Sequence, residues 1–346
     1  MSAPQSPRSG SQPINDTDRY LDLRGARDAQ LPDVDYIWPG FVASTVGALV
    51  AGGGTGKSMW GLEAGIGVAG GRSADLLDLN PTATGPVLYL PIEDPPLIVR
   101  HRLKAMALRL SEETWDAVAD NLAVCCLTGV PLDLLGAGHP SKVEGVRWLV
   151  QAAAGRRLVI LDTISRMHCG DENSNGDMAR LLNNLEWVCA QTGAAILYLH
   201  HIGKGAAREG ATDQQAARGA SALLDNARWG GIMRRMGMEE AHQCLTGTIE
   251  EKELRRHYYV RCGTNKHNYG EPLIDRWYQR HAGGVLLPAE LHPVTDQKVE
   301  AEYKQWNQRM DDLVQQGKQS GGKRKGKEAG KEATAKPTEG ADGDWQ

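Results

Sequence analysis

The sequence predicts an α/β fold: a mostly parallel sheet flanked by helices, with additional antiparallel strands toward the C-terminus. Three observations carry that prediction. Continuously apolar runs rich in Val, Ile and Leu recur at 44–52 (STVGALVAG), 85–93 (GPVLYLPIE), 156–163 (RRLVILDT) and 193–201 (GAAILYLHH). Such runs mark parallel strands covered on both faces. Helical patterns at 57–69, 95–110, 142–154 and 177–192 separate them, and strand–helix alternation of this kind builds a doubly wound sheet. A last series, from Ala222 through 258–262 and 275–280 to 284–287, reads as antiparallel or meandering.

Taken in order, residues 1–30 are polar and weakly periodic, which predicts a flexible arm with a short polar helix over 17–30. The alternating pattern fills 31–303. Its first strand runs into AGGGTGKS (51–58), which leads directly into a helix. Glycines there let backbone N–H groups point at phosphates, and the helix N-terminus adds its dipole. Gly52, Gly53, Gly54, Thr55, Gly56, Lys57, Ser58 and Met59 are therefore candidate contacts to ATP. Lys57 would neutralise the β/γ oxygens, and the Ser58 hydroxyl would hold Mg²⁺. Ala51 replaces the usual first glycine of this P-loop pattern, so a strand–helix turn with an incidental Gly-Lys-Ser is the plain alternative.

The next strand ends in Glu93 and Asp94, followed by two prolines. A carboxylate on a strand beside the P-loop strand can orient and deprotonate a water. Glu93 is the expected base, with Asp94 its solvated neighbour or a helix cap. RRLVILDT ends in Asp162, the expected Walker B carboxylate and second Mg²⁺ ligand; a capping Asp after a buried strand is the alternative. The segment 165–175 (SRMHCGDENSN) follows as a candidate loop.

The fourth strand ends in His200 and His201, which alternate between faces and so make a poor metal site. One of the two, His201 by preference, is the expected sensor of the γ-phosphate. The glycine- and alanine-rich stretch 202–219, with Lys204, Arg208 and Arg218, has the composition of a loop that tracks single-stranded phosphates. Residues 304–346 carry Lys323, Arg324, Lys325 and Lys327 with nothing to bury, and read as a disordered tail.

Composition narrows the function classes. With 39 Lys+Arg against 43 Asp+Glu, the net charge of −4 excludes a wholly basic nucleic-acid coat, so DNA contact must sit in local loops. No apolar run is long enough for a membrane span, and the N-terminus lacks a secretory pattern. Six cysteines without a C-x-x-C pair read as free thiols of a cytoplasmic protein. Glycine is abundant at 41 residues, whereas Phe41 is the only phenylalanine, so the core must rest on aliphatic side chains.

Four strand ends thus carry Lys57, Glu93, Asp162 and His201 in chain order. This order resembles the RecA-like hexameric helicases, the superfamily of the DnaB helicases, and within it the RepA-type replicative helicases of IncQ plasmids. The passages that carry the likeness are STVGALVAGGGTGKSM, TGPVLYLPIEDPP, GRRLVILDT, LHHIGKGAA, DQQAARGASALLDNARW and NKHNYGEPLIDRWYQRHAGGVLLP, spanning 35–288. The resemblance implies a RecA-like P-loop ATPase core, a homohexameric ring with ATP sites between neighbours, and single-stranded DNA in its channel. It implies Arg228 as an arginine finger acting on the neighbouring subunit and Lys266 as a second basic group across that interface. It also implies work in plasmid or phage replication alongside other replication proteins. A RecA-like DNA-binding ATPase without unwinding activity is the alternative. A small-molecule kinase is disfavoured by Glu93 and by the lack of a lid sequence; ABC-type chemistry is disfavoured by the lack of L-S-G-G-Q.

Overall fold

The computed structural model describes residues 23–172, 174–201, 226–267, 269, 275–292 and 308. The chain divides into two units, Met1–Asp35 and Tyr36–Gln346. In the first, the described part holds a single 3-10 turn, Gly25–Arg27, with no buried residue. Over 23–30 this turn stands where part of the short polar helix was expected; residues 1–22, including the start of that helix, lie outside the described residues.

The second unit opens with a short antiparallel pair, β1 (Tyr36–Trp38) and β2 (Phe41–Val42). Among the described residues a nine-stranded sheet follows. Its strands are β3 (Val46–Ala51), β4 (Val87–Pro91), β5 (Leu122–Val124), β6 (Leu158–Asp162), β7 (Ala195–His201), β8 (Trp229–Arg235), β9 (Tyr259–His267), β10 (Asp275–Arg280) and β11 (Leu286–Ala289). They lie in the order β11-β10-β9-β8-β3-β7-β6-β4-β5. All neighbours from β8 to β5 are parallel, and those from β8 to β11 are antiparallel. The mostly parallel sheet with antiparallel strands toward the C-terminus is the predicted architecture.

Two placements differ from expectation. β8 was expected in the antiparallel series, yet it runs parallel to β3 and antiparallel to β9, so it is the junction of the two halves. β4 was expected beside the P-loop strand, yet β7 and β6 intervene. Glu93 must reach the site from the loop beyond β4.

Among the described residues the helices are α1 (Lys57–Gly70), α2 (Pro96–Ala107), α3 (Glu112–Asn121), α4 (Glu144–Ala153), α5 (Asn175–Thr192), α6 (Met238–Cys244) and α7 (Ile249–Arg256). Strand residues alternate between the two faces, which places a core on each face of the sheet. Val46, Ala48 and Val50 of β3 join Val159 and Leu161 of β6 under Leu149 of α4 and Leu181 and Leu185 of α5. Leu49 and Ala51 join Ile160, Leu197 and Leu199 under α1 and the β1–β2 pair.

α1 lies close on the sheet because Gly61 has no side chain: a Cβ there would come within 2.8 Å of Leu199. Beside it, Trp38, Phe41, Trp60 and Trp229 form an aromatic group with ring centroids 5.0–6.2 Å apart. Aromatic pairs add about 0.5–1.5 kcal/mol beyond area burial, so the few aromatics are concentrated where β3, β8 and α1 must stay in register.

Candidate active site

The P-loop joins β3 to α1 through two glycines with left-handed backbone, Gly54 (φ +69°) and Gly56 (φ +110°). Residues with a Cβ rarely adopt those angles. Thr55 Oγ1 donates to the Gly52 carbonyl at 2.8 Å and tightens the loop. Met59, a candidate contact, is buried in the α1 core and faces Gly284. Its side chain is therefore turned away from the loop.

Lys57 is 5% exposed, and its Nζ lies 3.4 Å from Nδ1 and 3.5 Å from Nε2 of His201. Burial lowers the Lys57 pKa, while the charges of Asp162, Glu93 and Asp94 raise it. Ser58 Oγ donates to Asp162 Oδ1 at 3.1 Å, and the Tyr89 hydroxyl donates to Asp162 Oδ2 at 2.5 Å. Burial pushes the Asp162 carboxyl up, against the hydrogen bonds from Tyr89 and Ser58 and the charge of Lys57.

The Ser58 hydroxyl and the Asp162 carboxylate are oxygen donors of the type Mg²⁺ accepts. That ion commonly takes one or two protein ligands and completes its shell with water and phosphate. Among the described residues no group of three or more His, Cys, Asp or Glu could hold a metal alone. The donor set therefore fits a cation that arrives with a phosphorylated substrate.

Glu93 reaches this centre because Ile92 N–H donates to the Asp162 carbonyl at 2.8 Å, carrying the β4–β6 ladder past the strand end. Its Oε1 accepts from Thr163 Oγ1 at 3.0 Å, and its Oε2 lies 3.7 Å from His201 Nε2. Arg166 Nε is 3.7 Å from Oε1 on the solvent side. Asp94 is half-buried and is not the helix cap. It pairs with Arg102 of α2 at 2.6 Å, and Pro95 takes the N-cap position.

The two histidines diverge as strand alternation requires. His201 faces Lys57 and Glu93, whereas His200 lies against Ser165 Oγ at 3.2 Å, and burial lowers its pKa to about 4. Arg228 is elsewhere. Its N–H donates to the Val46 carbonyl at 2.8 Å just before β8, and its exposed guanidinium lies 3.7 Å from Glu186 of α5. Trp229 pairs with Gly47 and Lys266 with Gly230, so both basic positions lie at the end of the sheet away from the P-loop. The Lys266 side chain and the loop 202–219 lie outside the described residues.

Four residues went unread in the sequence: Tyr89, Thr163, Arg235 and Arg280. Tyr89 looks like one more core residue of an apolar strand. Arg280 Nη2 donates to the Thr55 carbonyl at 2.7 Å and Arg235 Nη2 to the Gly53 carbonyl at 3.2 Å, from the ends of β10 and β8.

The AAA domain family matches residues 15–207, more than half of the chain. The chain belongs to the AAA domain family. Membership in this family of P-loop ATPases implies nucleotide binding. The matched span of the AAA domain holds Lys57, Glu93, Asp162 and His201 and stops before β8, leaving Arg228, Arg235, Lys266 and Arg280 beyond it. The chain is also similar to a solved structure, the ATPase domain of G40P, at 13% identity and a TM-score of 0.48 over 72% of this chain and 87% of that one. Among the described residues no helix is long and apolar enough to cross a membrane.

Proposed function

We propose that the chain is an ATP-driven DNA helicase whose copies close into a ring of six around single-stranded DNA. The observation that carries this reading is the convergence of Lys57, Ser58, Asp162, Glu93 and His201 at the same ends of parallel strands. Lys57 binds the β/γ oxygens of ATP. Ser58 and Asp162 hold Mg²⁺, which when bound neutralises phosphate charge. Glu93, fixed by Thr163 and open to solvent, takes the proton of the attacking water at its carboxylate. His201, between Lys57 and Glu93, changes partner when the γ-phosphate leaves and passes that change to the segment that follows it.

That segment, 202–219, and the loop 165–175 are the proposed DNA contacts; weak contacts from six copies sum through effective concentration. What supports a role for Arg228 and Lys266 on a neighbour is their place at the sheet end remote from their own P-loop. Plasmid or phage replication, with other replication proteins as partners, is the setting the sequence resemblance suggests.

Strand displacement on a tailed duplex tests the reading. The full chain should displace the strand only with ATP and Mg²⁺. Hydrolysis stimulated by single-stranded DNA without displacement would instead identify a DNA-binding ATPase that does not unwind. Hydrolysis indifferent to DNA would remove both.

A further inference from the structure

Two arginines at strand ends, neither of them among the expected site residues, touch the P-loop. Arg280 ends β10 and donates to the Thr55 carbonyl at 2.7 Å; Arg235 ends β8 and donates to the Gly53 carbonyl at 3.2 Å. In a trans peptide the C=O of one residue and the N–H of the next point in opposite directions. A guanidinium on the Gly53 carbonyl therefore aims the Gly54 N–H to the other side, and one on the Thr55 carbonyl does the same for Gly56. A cation on the carbonyl also polarises the peptide, which makes the opposite N–H a stronger donor.

The glycines make room for this arrangement. A Cβ on Gly54 would lie 2.7 Å from Arg235 Nη2, and one on Gly56 3.1 Å from Arg280 Nη2. Arg234, next to Arg235, is fixed by two 2.6 Å bonds to Glu240, which anchors the end of β8. The two guanidiniums work against each other: burial first, and the Arg235 charge second, lower the Arg280 pKa. Like charges held against one loop are relieved by an anion.

We infer that Arg235 and Arg280 are positioning residues for the nucleotide, holding the P-loop with its N–H groups set for phosphate before the ligand arrives. This rests on the ATP-binding reading above. Steady-state hydrolysis and equilibrium binding of ATP with Mg²⁺ by the full chain test it, with Arg280→Met, Arg280→Lys, Arg235→Met and Lys57→Ala side by side.

Arg280→Met should raise KM and Kd for ATP about tenfold, the scale of one lost charge-assisted hydrogen bond. Arg235→Met should raise them about threefold, because its bond is longer and exposed. Arg280→Lys should recover part of the loss, and kcat at saturating ATP should stay within about twofold in all three. A merely structural role would lower kcat through fewer active molecules and leave KM unchanged. That outcome, or KM values at the wild-type level, overturns the inference. If Arg280→Met does not fold, Arg235→Met carries the same two outcomes. Wild-type ATP affinity in Lys57→Ala would instead overturn the nucleotide reading itself.

Discussion

At the scale of single residues, the site depends on a tyrosine that carries no charge. Tyr89 is fully enclosed, and burial together with the Asp162 charge pushes its pKa well up, so it remains a neutral donor. It fixes one oxygen of Asp162 while Ser58 occupies the other. Partners of this type orient metal ligands, and their loss typically costs 10–100-fold in metal affinity. Tyr89→Phe should therefore raise the Mg²⁺ concentration for half-maximal hydrolysis by roughly tenfold, with little change in a Mg²⁺-independent measure such as the circular dichroism spectrum. An unchanged Mg²⁺ requirement would remove Tyr89 from the site. Asp162 and Glu93 were legible in the sequence because each ends an apolar run and breaks its pattern, and Lys57 because it sits in the glycine-rich P-loop pattern. Tyr89 was not legible, since a tyrosine inside such a run matches a core residue, and only the fold reveals which carboxylate its hydroxyl meets.

At the scale of elements, α1 links the P-loop to the antiparallel strands through a buried acid. Glu63 is 0% exposed, and its Oε1 accepts the Leu286 N–H at 2.9 Å. Burial raises its pKa well above the ordinary 4.5, against that hydrogen bond. A folded-state pKa above the unfolded one means stability is greatest below about pH 4.5 and falls as pH rises through the folded value, because the unfolded chain ionises first. Glu63→Gln keeps an acceptor for Leu286 and removes this ionisation. Its melting temperature relative to wild type should rise between pH 4.5 and 8; a constant difference would show that Glu63 does not titrate as described. The long apolar strands and α1, α2, α4 and α5 could be read from pattern. The short α3, α6 and α7 could not: α7 (IEEKELRR) is almost wholly polar and is set by its Thr248–Glu251 capping box and by packing against α6.

At the scale of the whole molecule, sheet order decides which residues share a site. Reading along the chain put β4 beside β3, but the order β8-β3-β7-β6-β4-β5 brings Glu93 in over β6 instead. Nothing local in a sequence encodes which strands become neighbours, and the same limit hid the convergence of Arg235 and Arg280 on the P-loop. The proposed chemistry is hydrolysis of ATP by this AAA domain, with Lys57 on the phosphates and Glu93 as base. Turnover and ATP binding measured together for wild type, Lys57→Ala, Glu93→Gln and Asp94→Asn test it most directly. Lys57→Ala should lose both, Glu93→Gln should still bind ATP but turn over at least about 100-fold more slowly, and Asp94→Asn should retain most activity. Normal turnover by Glu93→Gln, or substantial turnover by Lys57→Ala, would contradict it.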